Sequence, residues 1–369
     1  MKILVTGGAG FIGSHLVRSL LSQGESVVVY DNHDPQVHRK KVKPARAPGL
    51  KTVIGDVRDR RTLAAQVKKV DAVVHLAAAV GVGQSQYQIR HYVDVNLNGT
   101  ATLLDILAND KHNVGRIVVA SSMSAYGEGA YECARCGRVR PGLRSDEAMR
   151  KGKWEPVCPA CGGAPKPVPT RESDRFLSNS IYAVTKMGQE ELVLNYGLAY
   201  GVPSLALRFF NVFGPGQSLS NPYTGVAAIF MGRLKNRRVP VLYEDGLQCR
   251  DFTSVHDIVQ AIELSIRKPM GEHRIFNVGS GVPTPIKSVA ETLARCYQSD
   301  LEPSIVRKFR SGDIRHCYAD IGRITESLGY RPKVSLEEGM RELVDWARSV
   351  DAKDGFEQAQ RELARRGLV

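Results

Sequence analysis

The stretch GGAGFIG, residues 7–13, directly follows a short apolar run and opens a helix-length segment. Glycines at these spacings let a turn adopt positive φ, let backbone N–H groups approach a pyrophosphate, and let a helix pack closely on a strand. The N-terminus of that helix adds unpaired N–H groups and a partial positive charge. Because the triplet stands between a strand and a helix, it predicts a dinucleotide site.

Short β-branched runs alternate with amphipathic segments around this motif. The predicted strands are residues 2–6, 26–31, 52–54, 71–77, 116–121 and 204–208, and the predicted helices between them are 13–22, 62–70, 98–108 and 181–200. The β-α order predicts an α/β fold with a doubly wound parallel sheet of the Rossmann type. In such a sheet all strand carboxyl ends meet at one edge, where a ligand binds.

After about residue 211 the pattern loosens into loops, with shorter helices near 257–266, 286–296 and 336–348. We therefore predict a dinucleotide-binding domain over 1–210 and a smaller substrate-binding domain over 211–369. An insert over 129–170 interrupts the first domain, and residues 251–268 are expected to pack back on that domain.

Composition limits the class of protein. The chain has 369 residues, 43% of them apolar, and a net charge of +13. Its first residues are no signal peptide and no run of about 18 apolar residues occurs, so we expect a cytoplasmic protein without a membrane partner. Basic residues form only short patches, at 39–43 and 235–238. Without a recognition helix or an aromatic stripe beside them, we expect no nucleic-acid partner.

Two carboxylates follow predicted strands on the ligand side. Asp31 ends the second strand, 18 residues beyond Gly13, where it can accept hydrogen bonds from both ribose hydroxyls of an adenosine. It would repel a 2′-phosphate, so the expected cofactor is NAD and not NADP. Asp56 follows the third strand and could reach the adenine. Asp31 could instead cap a turn, and Asp56 could be a solvated loop carboxylate.

YAVTK places Tyr182 and Lys186 at i and i+4 on one helix face. A tyrosine with a pKa near 10 is a poor base, but an adjacent ammonium and an oxidised nicotinamide both favour the phenolate. The pair could then exchange a proton with a sugar hydroxyl. By itself such a pair is also common on solvated helices.

SSMSAYG, residues 121–127, ends the fifth predicted strand at the ligand edge. Ser122 or Ser124 could hydrogen-bond the same hydroxyl and align the proton transfer. The alternative is an ordinary serine-rich turn at a strand end.

Two Cys-x-x-Cys pairs lie in the insert. Cys133, Cys136, Cys158 and Cys161 have the spacing of a zinc ribbon, and a glycine follows the second cysteine of each pair. Four thiolates complete a tetrahedral zinc and leave no position for substrate, so the predicted zinc is structural. Unliganded thiols and an iron–sulfur centre are the alternatives.

GGAGFIG, Asp31, SSMSAYG, YAVTK and RFFNVFGPG together resemble the extended short-chain dehydrogenase/reductase family, in particular its nucleotide-sugar epimerases and dehydratases. The resemblance covers nearly the whole chain outside the cysteine insert. It implies a nucleotide-diphosphate sugar as substrate and a homodimer formed through helices that include 98–108 and 181–200.

The resemblance also implies site residues at matching positions. The expected catalytic residues are Ser122, Ser124, Tyr182 and Lys186. The expected cofactor contacts are Gly7, Gly10, Phe11, Ile12, Gly13, Asp31, Asn32, Asp56, Val57, Leu76, Ala77, Ala78, Asn96, Tyr182 and Lys186, with Asn96 positioning the active-site helix. The expected substrate contacts are Ser122, Ser124, Asn211, Asn221, Arg250, Arg310 and Asp313.

The reaction within the family depends on the residues after Ser122. The 4,6-dehydratases carry an Asp-Glu pair there and the UDP-glucuronate decarboxylases a Glu at the second position, whereas this chain has Met123 and Ser124. Elimination then lacks its acid and base. The implied reaction is inversion at C4 through a 4-keto sugar, by hydride transfer to and from tightly bound NAD.

The substrate is less tightly specified by the sequence. Val80 stands where UDP-glucose 4-epimerases carry a lysine, while the insert, SNPYTGVAAIF and EDGLQCRDF look most like dTDP-L-rhamnose 4-epimerases. UDP-glucose or UDP-glucuronate epimerisation, a dehydratase or decarboxylase, a dehydrogenase and an NAD-binding regulator without catalysis remain alternatives. The intact serine, tyrosine and lysine set argues against the regulator.

Overall fold

The computed structural model describes residues 1–38, 47–269, 274–310 and 312–368, so the basic patch at 39–43 lies outside the described residues. The strands are β1 (Lys2–Thr6), β2 (Ser26–Asp31), β3 (Leu50–Ile54), β4 (Ala72–His75), β5 (Arg116–Ser122), β6 (Ala130–Cys133), β7 (Gly137–Val139), β8 (Lys166–Val168), β9 (Ser204–Phe209), β10 (Asn211–Phe213), β11 (Val241–Leu242), β12 (Cys249–Ser254), β13 (Ile275–Val278), β14 (Pro283–Pro285), β15 (Ser304–Ile305) and β16 (His316–Cys317).

The helices are α1 (Phe11–Ser22), α2 (Arg60–Val67), α3 (Val82–Ser85), α4 (Ile89–Tyr92), α5 (Gly99–Asn109), α6 (Asp146–Arg150), α7 (Ile181–Tyr200), α8 (Val226–Lys235), α9 (Val255–Arg267), α10 (Ile286–Tyr297), α11 (Gly322–Leu328), α12 (Leu336–Arg348) and α13 (Phe356–Ala364). A π-helical segment, Val93–Asn98, joins α4 to α5, and a 3₁₀ turn, Met123–Tyr126, follows β5. Among the described residues no helix is both long and apolar enough to cross a membrane.

Seven strands form one sheet in the order β13-β9-β5-β4-β1-β2-β3, and all of its neighbouring pairs are parallel. The doubly wound parallel sheet predicted from the sequence is confirmed. The strand order reverses beside β1, so the glycine-rich turn after β1 opens into the crevice where this fold binds ligands.

Apolar side chains fill both faces of the sheet. One core cluster joins β1, β2 and β9 to helices α1 and α9 through residues such as Leu16, Leu20, Ile258 and Ile262. The other joins the opposite face to α2, α5 and α7. Strands buried on both faces need continuous runs of β-branched residues, which is why the sequence pattern located β1, β2, β4, β5 and β9. The partly exposed edge strand β3 was predicted as well.

The seventh strand, β13, was not predicted. It pairs with β9 in parallel register, from Ile275↔Ala206 to Val278↔Phe209. With α9 packed against α1 and β5, this strand returns part of the chain beyond residue 211 to the large layer. The boundaries 1–210 and 211–369, and the packing of 251–268, stay predictions as domain limits.

A smaller core lies beyond the main sheet. Helices α8, α10 and α12 pack together through Phe230, Met231, Leu293 and Leu343, all of which are buried. Strands β10, β12, β14 and β16 lie beside this core. They carry Asn211 and Arg250, which the family resemblance predicts to contact the substrate.

The cysteine insert forms its own three-stranded antiparallel sheet in the order β7-β6-β8, followed along the chain by the loop to α7. The hairpin between β6 and β7 carries the first Cys-x-x-Cys pair, while the second pair lies in the loop between α6 and β8. The insert therefore precedes the helix that carries Tyr182.

Candidate active site

The glycine-rich turn passes very close to the neighbouring backbone. Gly7 has φ +69°, and a Cβ on it would lie 2.8 Å from the backbone nitrogen of Ala77. A Cβ on Gly13 would lie 2.3 Å from the carbonyl oxygen of Gly7. Only glycine allows this approach of α1 to β1. Gly10 is the N-cap of α1 and has no side chain that could cap the first N–H groups of the helix, which suits an anion-binding role for this helix end.

Asp31 ends β2 directly beside this turn. Its Oδ2 accepts a hydrogen bond from the backbone N–H of Ala9 at 3.0 Å, and its Oδ1 accepts one from His33 at 2.8 Å. His38 Nε2 lies 3.7 Å from Oδ1. The carboxylate is thereby fixed against the glycine-rich turn. Its contact with an adenosine ribose stays a prediction.

Asp56 lies next to Asn32, which donates to its Oδ2 at 3.1 Å. Arg58 donates to both oxygens of Asp56 and bridges to Asp94. The hydrogen bonds from Arg58 hold the pKa of Asp56 well below its usual range. Asp56 is therefore no lone solvated carboxylate; it fixes the loop after β3 to the segment before α5.

The other expected cofactor residues line the same edge. Phe11 and Ile12 form the first turn of α1, Val57 is buried after β3, and Leu76, Ala77 and Ala78 follow β4. Leu76 N–H donates to the carbonyl of Thr6 at 3.1 Å, which holds the β4 loop against β1. The structure thus gathers these residues around one crevice, while their individual contacts with a cofactor stay predictions.

Tyr182 lies near the start of α7, whose N-cap Ser180 accepts a hydrogen bond from Ala183 N–H. Burial raises the pKa of Tyr182 to about 12, and a hydrogen bond with the Ser122 hydroxyl opposes part of that rise. Ser124 Oγ donates to Ser122 Oγ at 2.9 Å. The structure therefore brings Ser122, Ser124 and Tyr182 into one hydrogen-bonded chain.

Lys186 lies one turn further along α7 and is buried. Its Nζ donates to Gln189 Oε1 at 2.7 Å. Burial lowers the pKa of Lys186 to about 7, while the Glu190 carboxylate opposes the shift. Because this pKa lies close to neutral pH, charged groups beside Lys186 readily change its protonation state.

Behind Lys186 runs a buried polar chain that the sequence did not indicate. Gln189 Nε2 donates to Thr100 Oγ1 at 2.8 Å, and His75 Nε2 lies 3.0 Å from the same hydroxyl. His75 Nδ1 lies 2.7 Å from Thr6 Oγ1. Burial, with a smaller effect of Lys186, lowers the pKa of His75 to about 3, so its imidazole is neutral. The position of Gln189 three residues after Lys186 was the available signal, since i and i+3 share a helix face.

Asn96 lies in the π-helical segment and is fully buried. Its Oδ1 accepts from Ala79 N–H at 2.7 Å, and its Nδ2 donates to Thr185 Oγ1 at 2.9 Å. The side chain thereby ties the loop after β4 to α7. All these contacts are with the protein, which suits the positioning role and leaves its cofactor contact a prediction.

The structure places the expected substrate residues on several segments of the chain. Arg310 and Asp313 are joined by an N–H to carbonyl hydrogen bond of 3.1 Å, and the Arg310 guanidinium lies 4.7 Å from the ring centre of Tyr243. Arg250 donates to the carbonyls of residues 314 and 315. Asn211 begins β10, and Asn221 is buried in the loop before α8.

Two of these side chains carry unpaired polar atoms. Asn211 Oδ1 and Arg310 Nε are buried and have no hydrogen-bond partner within the described ranges of the chain. Burying a polar group without a partner is unfavourable by about 1–3 kcal/mol. A ligand that supplies a donor to Asn211 and an acceptor to Arg310 removes that cost.

The four insert cysteines converge in space. Their sulfurs all lie within 4.8 Å of one another, and Cys133 Sγ is 3.6 Å from Cys161 Sγ. Tetrahedral zinc with bonds of about 2.3 Å places sulfurs about 3.8 Å apart. Gly137 and Gly162, after each pair, both adopt positive φ. The donor set and both turns fit zinc.

Two family models and one relative match most of the chain. A model described as the NAD dependent epimerase/dehydratase family matches residues 3–141, and one described as GDP-mannose 4,6 dehydratase matches residues 161–343. A dTDP-L-rhamnose 4-epimerase of Burkholderia thailandensis is 36% identical over 361 residues, which cover 96% of this chain and 97% of that protein.

Two solved structures have the same fold. A UDP-glucose 4-epimerase of Thermotoga maritima with UDP-glucose superposes with a TM-score of 0.75 at 28% identity, covering 95% of this chain and 99% of that one. A UDP-glucose 4-epimerase of Thermus thermophilus in complex with NAD gives 0.74 at 29% identity, covering 95% and 100%.

The chain therefore belongs to the NAD-dependent nucleotide-sugar epimerase family of short-chain dehydrogenase/reductase enzymes. This confirms the predicted family, the predicted class of enzyme and NAD as the cofactor.

Proposed function

We propose that this enzyme inverts C4 of a nucleotide-diphosphate sugar, with dTDP-L-rhamnose as substrate. The observation that carries the reaction type is the turn after β5. Met123 is buried there and Ser124 bonds to Ser122, and no carboxylate follows until Glu128. Both Glu128 oxygens accept backbone N–H groups, from residues 315 and 316, so this carboxylate is turned away from catalysis.

Elimination of water from a sugar needs an acid and a base at fixed positions. The turn offers only a thioether and hydroxyls, which supports a reaction without elimination. Bound NAD supplies a hydride acceptor and donor for the sugar carbon. The Tyr182 oxygen takes the proton of the C4 hydroxyl and later returns it, and Ser122 holds that hydroxyl in line. The sugar passes through a 4-keto intermediate between the two proton transfers.

The sugar must present both faces, so it has to be held through its nucleotide and diphosphate. Arg250 and Arg310 suit the diphosphate because a guanidinium offers forked donors to phosphate oxygens. Asn211 and Asn221 are the proposed additional contacts, and Asp313 that of the nucleoside. The dTDP-L-rhamnose assignment is supported by the relative that is 36% identical over almost the whole chain. A UDP-sugar is the second candidate, supported by the fold shared with UDP-glucose 4-epimerases.

We propose that the four cysteines bind one structural zinc. Backbone N–H groups of Ala160 and Cys161 hydrogen-bond the Cys158 sulfur, which stabilises a thiolate ligand. Protein sulfurs take all four positions of a tetrahedral ion. The ion therefore orders the insert and has no free position to bind substrate.

We therefore expect that zinc binding and catalytic turnover can be lost independently of each other. Tyr182→Phe should lower turnover of dTDP-L-rhamnose about 10³-fold, because it removes the proton acceptor, and should keep zinc and NAD. Cys158→Ser should lose zinc and lower the thermal unfolding midpoint of the insert. Turnover by product chromatography and zinc by elemental mass spectrometry measure both.

Cys296→Ser, a cysteine on α10 away from the cluster, is the matched control and should retain zinc and activity. Turnover that survives in Tyr182→Phe contradicts the mechanism, and full zinc in Cys158→Ser contradicts the metal site. If UDP-glucose is turned over faster than dTDP-L-rhamnose, the substrate assignment is wrong and the reaction type stands.

The raised pKa of Tyr182 predicts a pH dependence. The base form of a group with a pKa of about 12 grows as pH rises, so turnover should increase from pH 6 towards alkaline pH. The Ser122 hydrogen bond lowers that pKa, so Ser122→Ala should move the rising limb to higher pH. A pH profile of kcat measures the shift; an unshifted limb rules out Tyr182 as the titrating base.

We infer that the enzyme forms a homodimer through α7. Val184, Leu192 and Leu198 are exposed on this helix, Leu198 by 72%, and at 100° per residue they lie within about 120° of one another. An exposed apolar stripe of this kind is typical of an interface. Light scattering should give twice the 40.5 kDa of one chain, and a single-chain mass would contradict the dimer.

A further inference from the structure

Arg144 lies in the cysteine insert, yet its side chain is only 3% exposed because it enters the smaller domain. The guanidinium donates to both Glu244 oxygens, each at 2.8 Å. Such a bidentate pair fixes orientation as well as distance. The insert is thereby attached to the segment after β11.

The same guanidinium makes two further contacts. It donates to the carbonyl of Trp154, within the insert, at 3.0 Å and to the carbonyl of Asp313 at 2.9 Å. Arg144 therefore joins three segments: its own insert, the segment that holds Glu244 and the segment that holds Asp313.

Arg315 strengthens this junction from the other side. It donates to Glu244 at 2.9 Å, to both oxygens of Asp245 and to Glu155 of the insert. Glu244 thus has two arginine partners. Losing Arg144 leaves Glu244 paired with Arg315, so the charge is not stranded and the domain can still fold.

The backbone of Glu244 has an unfavourable conformation that a hydrogen bond to another segment stabilises. It has φ +55°, in the left-handed region that residues with a Cβ avoid. Its N–H donates to the carbonyl of Lys308 at 2.7 Å. Tyr243, the preceding residue, lies under the Arg310 guanidinium, so Glu244 is adjacent in the chain to a contact of a proposed substrate residue.

We propose that Arg144 is a positioning residue for the nucleotide half of the substrate, acting through Glu244 and Asp313. The inference rests on the proposed function, which assigns Arg310 and Asp313 to the nucleotide-diphosphate group. It gives the insert a place in substrate recognition. The proposal gives Arg144 no part in the chemical step at Tyr182 or in the binding of NAD.

The test uses the full-length enzyme with its NAD and compares Arg144→Met, Arg144→Lys and the wild type. The dissociation constants of dTDP and UDP are measured by calorimetry, together with KM and kcat for the sugar. Arg144→Met should weaken the tighter nucleotide about tenfold and raise KM similarly, because a charge-assisted pair is lost. The value of kcat should stay within about twofold, and Arg144→Lys should recover part of the loss.

Lys151→Met is the matched control. Lys151 pairs with Glu147 on the same insert, but both side chains are more than half exposed, so the change should leave nucleotide binding as in the wild type. NAD content and the thermal midpoint are recorded for every variant.

Unchanged nucleotide binding in Arg144→Met overturns the inference and leaves the proposed function intact. A parallel fall of kcat, NAD content and thermal midpoint also overturns it, because that pattern marks general destabilisation. If the wild type binds neither dTDP nor UDP, the proposed function itself fails and the inference fails with it.

Discussion

The position of α7, which packs on one face of the sheet and begins near its carboxyl edge, is the constraint on which the site depends. Glu190 of this helix is fully buried and receives hydrogen bonds from Arg208 of β9, with Arg208 Nη2 2.5 Å from its Oε1. Asn96 bonds Thr185 from the side, and Ser85 Oγ accepts from the N–H of Tyr182 at 3.0 Å. Stranding either charge of a buried pair costs about 3–5 kcal/mol, so the helix is held in one register.

In this position of α7, the pKa values of two neighbouring groups shift in opposite directions. Burial raises the pKa of Tyr182 and lowers that of Lys186, so both favour their neutral forms before a ligand charge is added. Proton exchange with a sugar hydroxyl needs the phenolate, which an adjacent positive charge stabilises. The polar chain through Gln189 and His75 holds Lys186 beneath the crevice.

Local sequence patterns predicted those strands and residue pairs that depend only on neighbouring residues in the chain. The buried strands around GGAGFIG and the pair Tyr182 and Lys186 follow from β-branched runs and helical spacing. β13 was missed because four residues between glycine- and proline-rich loops carry no clear period. Arg144 and Glu244 are 100 residues apart, and a long-range ion pair leaves no local pattern.

The insert illustrates the same limit. Its cysteine spacing predicted that four sulfurs would meet, and they do. Nothing in the spacing indicated that Arg144 and Glu155 would pair with Glu244 and Arg315. Because a loop with few apolar residues buries too little surface to order itself, these ion pairs, together with the proposed metal crosslink, would supply the order that a core would otherwise give.

Proton NMR of the enzyme with dTDP-L-rhamnose and with UDP-glucose, in separate samples in heavy water without added NAD, tests the central claim. The account predicts a C4-inverted product that keeps its C4 hydrogen, because the hydride returns to the carbon it left. Loss of water or carbon dioxide, or deuterium at a ring carbon, would contradict a simple C4 epimerisation.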